Sequence, residues 1–241
     1  RQMAPEAGIV DLTHDIAPFD VRGASLVLAR SVQYLCPGVI VALVDPEVGT
    51  ARRSIAIEVA GGRAVLMGPD NGVLAPAVGM IGGADRAVIL DNPDYLLETH
   101  ATTVAGRDVF APAAAALCSG VAFEDLGSAV DPITLLPGVV PLTRLEDGVL
   151  AAEVLWVDRF GNAQLNVDPE EIEEWGSHLD VRTGSSRRSA RRVTAFGELG
   201  ASELGLLIDA DGLIAIVANR TSAAAELRLS AGDEVLLRPI G

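Results

Sequence analysis

The chain has 241 residues, enough for one large domain or two moderate ones with proper cores. Apolar residues make up 49% and the charges are scattered, which excludes a disordered chain, while a formal net charge of -15 excludes a nucleic-acid partner and favours a cationic ligand. No apolar run reaches the roughly 20 residues of a membrane-spanning helix, and no basic segment leads into a short apolar one, so a soluble, cytoplasmic protein is expected.

Arg1-Gln2-Met3-Ala4-Pro5 reads as the last turn of a helix feeding a strand at Ile9, so an initial strand and most of its helix are expected to precede this sequence. Ile9 to Leu12, Gly23 to Leu35 and Val39 to Asp45 alternate short β-branched runs with a helical stretch. That alternation predicts an α/β domain with a largely parallel sheet and helices on both faces. Arg53 to Ala60 and Arg63 to Met67 flank Gly61-Gly62 and predict a hairpin with a two-residue turn. Gly72 to Ile81 and Val109 to Gly120 read as helices, the second alanine-rich and ended by Gly120.

A stretch with Pro132, Pro137 and Pro141 lacks periodicity and marks a boundary. The expected organisation is an N-terminal α/β domain over 1–132, a linker over 133–147 and a smaller domain over 148–241. In the latter, Val149 to Asp158, Ala163 to Val167, Leu204 to Ile208 and Leu213 to Asn219 read as short strands, giving an antiparallel β-barrel. Asp168-Pro169-Glu170-Glu171 carries the N-cap, N1 proline and early acids of a short helix. Cys36 and Cys118 lie in apolar contexts and read as reduced core thiols, not a disulfide or metal site.

Ligands of open α/β sheets bind at the carboxyl ends of the strands. The strand Val39 to Val44 runs into Asp45-Pro46-Glu47-Val48-Gly49-Thr50-Ala51-Arg52-Arg53, an acid and two bases around a tight loop. The plain alternative is a surface ion pair. Asp11-Leu12-Thr13-His14 and Gly68-Pro69-Asp70-Asn71-Gly72 close two further strands, and polar residues at several strand ends exceed what turns require. Asn71 reads equally as a ligand contact or a turn residue, Asp108 of Gly106-Arg107-Asp108 as a helix cap, and Phe160 of Trp156-Val157-Asp158-Arg159-Phe160-Gly161-Asn162 as either a core plug or a ligand contact. His14 has no second histidine or cysteine at ligand spacing, so turn hydrogen bonding is expected and neither a metal nor a cofactor is.

Asp11-Leu12-Thr13-His14, Val44-Asp45-Pro46-Glu47-Val48-Gly49-Thr50, Gly68-Pro69-Asp70-Asn71-Gly72, Gly106-Arg107-Asp108-Val109-Phe110-Ala111-Pro112 and Val157-Asp158-Arg159-Phe160-Gly161-Asn162, in this order and spacing, resemble the S-adenosylmethionine hydroxide adenosyltransferase family, which is related to fluorinase and chlorinase. The resemblance implies an N-terminal α/β domain and a C-terminal β barrel. It also implies a homotrimer holding S-adenosylmethionine between the N-terminal domain of one subunit and the C-terminal domain of the next. The implied reaction is attack of water or hydroxide on ribose C5′, releasing methionine and leaving adenosine.

By resemblance, Asp45 and Arg52 are the catalytic water-orienting acid and base. Asp158 takes the methionine ammonium, Asn162 and the backbone near Arg220 contact adenine, and Phe19 and Phe196 form apolar walls, with Asn71, Phe160, Asn219 and Arg220 among the substrate-binding residues. A tyrosine stands at the place of Asp45 in the halogenating relatives, and an aspartate there repels halide, so hydrolysis is expected, the alternatives being a non-catalytic S-adenosylmethionine- or adenosine-binding protein and a halide-dependent adenosyltransferase. Three positions depart from the family. Its histidine before Gly-Arg-Asp is Ala105 here, with His100 five residues earlier. Its N-terminal Thr-Asp-Phe-Gly segment is not in this sequence. Finally, Ala210-Asp211-Gly212 stands where relatives place the serine that holds the methionine carboxylate.

Overall fold

A computed structural model describes residues 2–98, 102–138, 141–184 and 186–240. The chain forms two compact units, Arg1–Val139 and Val140–Gly241. Among the described residues no helix is long and apolar enough to cross a membrane.

In the first unit, α1 (Val21–Val32) starts at Asp20, whose side chain accepts a 2.7 Å hydrogen bond from Gly23 N. Then come β1 (Gly38–Val41), β2 (Ser54–Val59), β3 (Ala64–Pro69), α2 (Ala75–Met80), β4 (Ala84–Ile89), α3 (Ala111–Cys118) and β5 (Ala129–Val130). The sheet order is β1-β3-β2-β4-β5. Its strands are buried on both faces: Ile55, Ile57 and Val59 pack with Leu28 and Val32 of α1 and Ala77 of α2, while Ala56, Val65 and Met67 pack with Ala113 of α3 and with Phe110. Helices therefore cover both faces. The expected largely parallel pairing is corrected, because only β1 and β3 run parallel while β2–β3, β2–β4 and β4–β5 are antiparallel. The reason is local, since β2 and β3 are joined directly across a short turn, which forces antiparallel pairing. That turn spans residues 60–63, with Val59 opposite Ala64 and positive φ at Ala60, Gly61 and Gly62, so it is two residues longer than expected.

Ile9 to Leu12 is not a strand here; Ile9 and Val10 stand exposed outside the sheet. Residues Gly106–Phe110 form a π-helix that leads into α3. Pro112 has no N–H to give to the Asp108 carbonyl four residues back, and that carbonyl accepts from Leu97 N at 2.9 Å instead.

The second unit holds β6 (Arg144–Glu146), β7 (Val149–Val157), β8 (Ala163–Leu165), β9 (His178–Thr183), β10 (Ser186–Arg192), β11 (Leu204–Ile208), β12 (Ile214–Ala218), α4 (Ala223–Leu227) and β13 (Glu234–Pro239). The order β13-β9-β10-β11-β12-β8-β7 closes where β13 also pairs with β7, a seven-stranded barrel with β6 flanking β7. Every pair is antiparallel except β10–β11, a correction to the all-antiparallel expectation. Alternate residues such as Leu150, Ala152 and Val154 of β7 and Leu179 and Val181 of β9 fill the barrel, which leaves the intervening side chains for the outer wall. Asp168 caps the short 3-10 turn Pro169–Ile172 in a capping box with Glu171.

Candidate active site

The Asp45–Arg52 pair sits on the loop after β1. The Arg52 Nη2 ion-pairs with Asp45 Oδ2, and both side chains are withdrawn from solvent, 6% and 11% exposed. The geometry is therefore not that of the surface ion pair that stood as the plain alternative. Arg52 Nη1 donates to Arg53 O at 2.5 Å, which leaves its Nε and the Asp45 Oδ1 buried with no hydrogen-bond partner. Unpaired buried polar atoms are costly, about 1–3 kcal/mol each, and natural proteins keep few of them outside working sites.

Two segments border the loop that carries this pair. Gly68 at the end of β3 approaches so closely that a Cβ there would lie 2.5 Å from the Ala42 carbonyl. The segment around 102–106 runs beside the loop: a Cβ on Gly49 would meet Thr102 Oγ1 at 3.2 Å, and one on Gly106 would meet Leu43 Cδ1 at 3.1 Å. Ala105 lies on this bordering segment, and its methyl group packs against the core cluster that holds Met67 and Phe110. Asp108 is the acid in the first turn of the π-helix, not its N-cap residue, which is Ala105; its carboxylate is buried and pairs with Arg107 Nε at 2.5 Å. Asn71 spends both ends of its amide on backbone: Nδ2 donates to Val44 O at 2.9 Å and Oδ1 accepts from Val73 N at 3.2 Å.

In the second unit, Asp158, Asn162 and Phe196 line one cleft of about 300 Å³. Asp158 Oδ1 accepts from Phe160 N at 2.8 Å and Asn162 N at 2.9 Å, and its Oδ2 accepts from Asn162 Nδ2 at 2.7 Å. The carboxylate thus folds the turn from β7 to β8 around itself, accepting only from neutral donors, and lines the cleft. Gly161 makes this turn possible: its φ is +82° and a Cβ would come within 1.9 Å of Ser222 Oγ. The cleft is also walled by Trp156, Gln164 and Asp209. Gln164 is almost fully buried and donates to Asp209 Oδ2 and, at 3.2 Å, to Asp211 Oδ2. Gln164 stands between Ala163 and Leu165, which fill the barrel interior, so its side chain points to the outer wall and into this cleft.

Phe196 rides on a turn braced by Glu198, whose Oε1 accepts from Thr194 N at 2.9 Å, Thr194 Oγ1 at 2.7 Å and Ala195 N at 2.9 Å. Those hydrogen bonds, led by the Thr194 hydroxyl, hold the Glu198 carboxyl below the usual carboxylate range, with Arg191 adding to the effect. Asn219 and Arg220 do not line the cleft; Asn219 Nδ2 donates to Leu199 O at 2.9 Å, tying the end of β12 to the chain just past that turn.

Phe160 is 73% exposed, which corrects its reading as a core plug: the turn points the ring outward once Asp158 has captured the flanking amides. Phe19, in the first unit, is 77% exposed with φ +69° just before α1. His14 bonds Asp11 at 3.2 Å in an exposed turn, as its turn reading requires. Cys36 and Cys118 are free and exposed rather than in the core: Cys36 falls in the connection between α1 and β1, and Cys118 is the last residue of α3. Among the described residues no group of three or more histidine, cysteine or acidic side chains could hold a metal ion. His100 lies outside the described residues.

Residues 1–127 match the SAM hydroxide adenosyltransferase N-terminal domain and residues 152–236 the SAM hydroxide adenosyltransferase C-terminal domain. The chain is 42% identical over 234 residues to the (R)-S-adenosyl-L-methionine hydrolase of Salinispora tropica, covering 97% of this chain and 87% of that protein. It is 38% identical over 244 residues to the (R)-S-adenosyl-L-methionine hydrolase of Thermus thermophilus, covering 98% and 90%. Among solved structures, an uncharacterized conserved protein from Thermotoga maritima matches with a TM-score of 0.84 at 30% identity, over 98% of this chain and 91% of that one.

Proposed function

This chain belongs to the SAM hydroxide adenosyltransferase family, and from that premise we propose that it hydrolyses S-adenosyl-L-methionine to adenosine and L-methionine. The observation that carries this reading is the buried Asp45–Arg52 pair with one acceptor, Asp45 Oδ1, and one donor, Arg52 Nε, left open. A water between them donates one hydrogen to Oδ1 and accepts from Nε–H. Held so, it keeps a lone pair free for attack on ribose C5′. The new O–C5′ bond forms as the C5′–S bond breaks, and the thioether leaves with the bonding pair. It leaves neutral, so no general acid is required. The water's proton passes to Asp45 and then to solvent, while Arg52 favours the oxygen as its negative charge develops. The reaction needs neither metal nor cofactor.

In the second unit, Asp158 suits the substrate ammonium, Asn162 an adenine edge, and Phe196 a flat apolar wall. Phe19, Phe160, Asn219 and the Arg220 backbone complete the binding surface in a homotrimer whose substrate lies between the first unit of one subunit and the second unit of the next. The exposed rings of Phe19 and Phe160 support such burial on assembly. Ala105 favours a second reading, a protein that binds S-adenosylmethionine with little turnover, because a methyl group offers the water no third partner.

The test is chromatography of S-adenosylmethionine incubated with the protein in oxygen-18 water, with each sulfonium epimer assayed, since the relatives are named for the (R) form. Adenosine and methionine in equal amounts, with the label in the adenosine 5′-hydroxyl, are expected. Absence of adenosine from both the wild type and Ala105→His overturns hydrolysis, and tight binding without turnover favours the second reading.

A further inference from the structure

The Asp45–Arg52 loop is gripped at both of its ends by two consecutive residues at the end of β3. At the entry, Asn71 Nδ2 donates to Val44 O, the carbonyl immediately before Asp45, at 2.9 Å. At the exit, Asp70 N donates to Arg53 O at 3.0 Å, and Arg52 Nη1 donates to that same carbonyl. The Asp70 carboxylate is buried and ion-pairs with the Arg53 guanidinium, and its Oδ1 accepts from Leu136 N at 2.9 Å. Two consecutive residues thus hold the chain where Asp45 begins the loop and where Arg52 ends it. Within the loop, the contacts are the ion pair itself and short turn bonds such as Val48 N to Asp45 O at 3.3 Å and Thr50 Oγ1 to Glu47 O at 2.8 Å.

We propose that Asn71 and Asp70 are positioning residues: they touch no reacting atom but fix the spacing of the open Asp45 Oδ1 and Arg52 Nε. This inference rests on the reading of that pair as the water site, and it changes the role of Asn71 from a substrate contact to a clamp on Val44. Its amide orientation is the only one that serves both backbone partners, since the carbonyl of Val44 needs a donor and the amide of Val73 an acceptor. A misplacement of about 1 Å at a reacting pair costs on the order of 100-fold in rate while leaving the binding surface intact.

The experiment uses Asn71→Asp, which keeps an acceptor for Val73 N and turns the donor facing Val44 O into a repelling oxygen. Expected are a kcat lower by roughly 10- to 100-fold, an unchanged KM, and faster amide hydrogen exchange across residues 45–52. In an Asp45→Asn background the same change adds no further loss of kcat, because it acts through Asp45. Asn71→His, which restores a donor, recovers part of the rate. A raised KM with unchanged kcat, full additivity with Asp45→Asn, or loop exchange equal to wild type overturns the inference. The exchange readout does not depend on turnover, so protein that binds S-adenosylmethionine without hydrolysing it refutes the proposed activity but still decides whether Asn71 clamps the loop.

Discussion

Replacing Arg52 with methionine leaves Asp45 as a carboxylate 11% exposed with no Arg52 counter-ion, its Oδ1 already buried without a partner. Removing one partner of a buried ion pair costs about 3–5 kcal/mol, because the remaining charge keeps its desolvation penalty and loses its attraction. With a urea slope of about 2 kcal/mol per molar for a unit of this size, the midpoint of the first unit should fall by roughly 1.5–2.5 M. Both tryptophans of the chain, Trp156 and Trp175, lie in the second unit, so fluorescence would miss the transition. Helical circular dichroism is the proper signal, since α1 and α3, the two longest helices among the described residues, belong to the first unit. The double variant Asp45→Leu with Arg52→Met should recover part of the loss, since neither charge then remains buried. A shift in Arg52→Met below about 0.5 M is what a solvent-screened surface pair would yield, and it would refute the buried-pair account.

Gly161→Ala places a methyl group against Ser222 at a φ of +82°, so a loss of about 2–3 kcal/mol is expected in the second unit, read by tryptophan fluorescence on heating. The Glu198 carboxyl is held below its ordinary range, so its bonds to Thr194 and Ala195 contribute stability above the unfolded-state value and lose it as pH falls through the folded one. The turn bearing Phe196 should therefore loosen only in acid, below the ordinary glutamate range of about pH 4, and affinity for S-adenosylmethionine should drop there. Glu198→Gln should remove that acid step, as followed by calorimetry across pH. Ala105→His should raise the rate of adenosine release by roughly 10-fold or more if the added imidazole reaches the water, a size in keeping with one positioned hydrogen-bonding group.

Much of the fold was legible wherever one residue pattern served one surface. The alternation of β7, the chain breaks around β11 and β12 and the capping box at Asp168 all speak through local chemistry, and the structure places each within a residue or two of expectation. Strand β10, Ser-Arg-Arg-Ser-Ala-Arg-Arg, was not legible. It carries no apolar stripe except Ala190 and is a strand because β9 and β11 flank it on either side. Ile9 to Leu12 erred the opposite way, with β-branched and apolar residues that find no neighbour to pair with. At the site, Asp45 and Arg52 could be picked out from their position at a strand end, but their burial could not. It arises from the close approach of β3 at Gly68 and from the bonds of Asp70 and Asn71, contacts between residues far apart along the chain.

The central claim is that the carboxylate of Asp45 orients the attacking water, and Asp45→Asn tests it most directly because the amide keeps the size and loses the charge. Adenosine release from S-adenosylmethionine, followed by chromatography beside a calorimetric binding measurement, should fall by at least 100-fold while the dissociation constant stays within about threefold of wild type. Adenosine formed at the wild-type rate by Asp45→Asn would contradict the account.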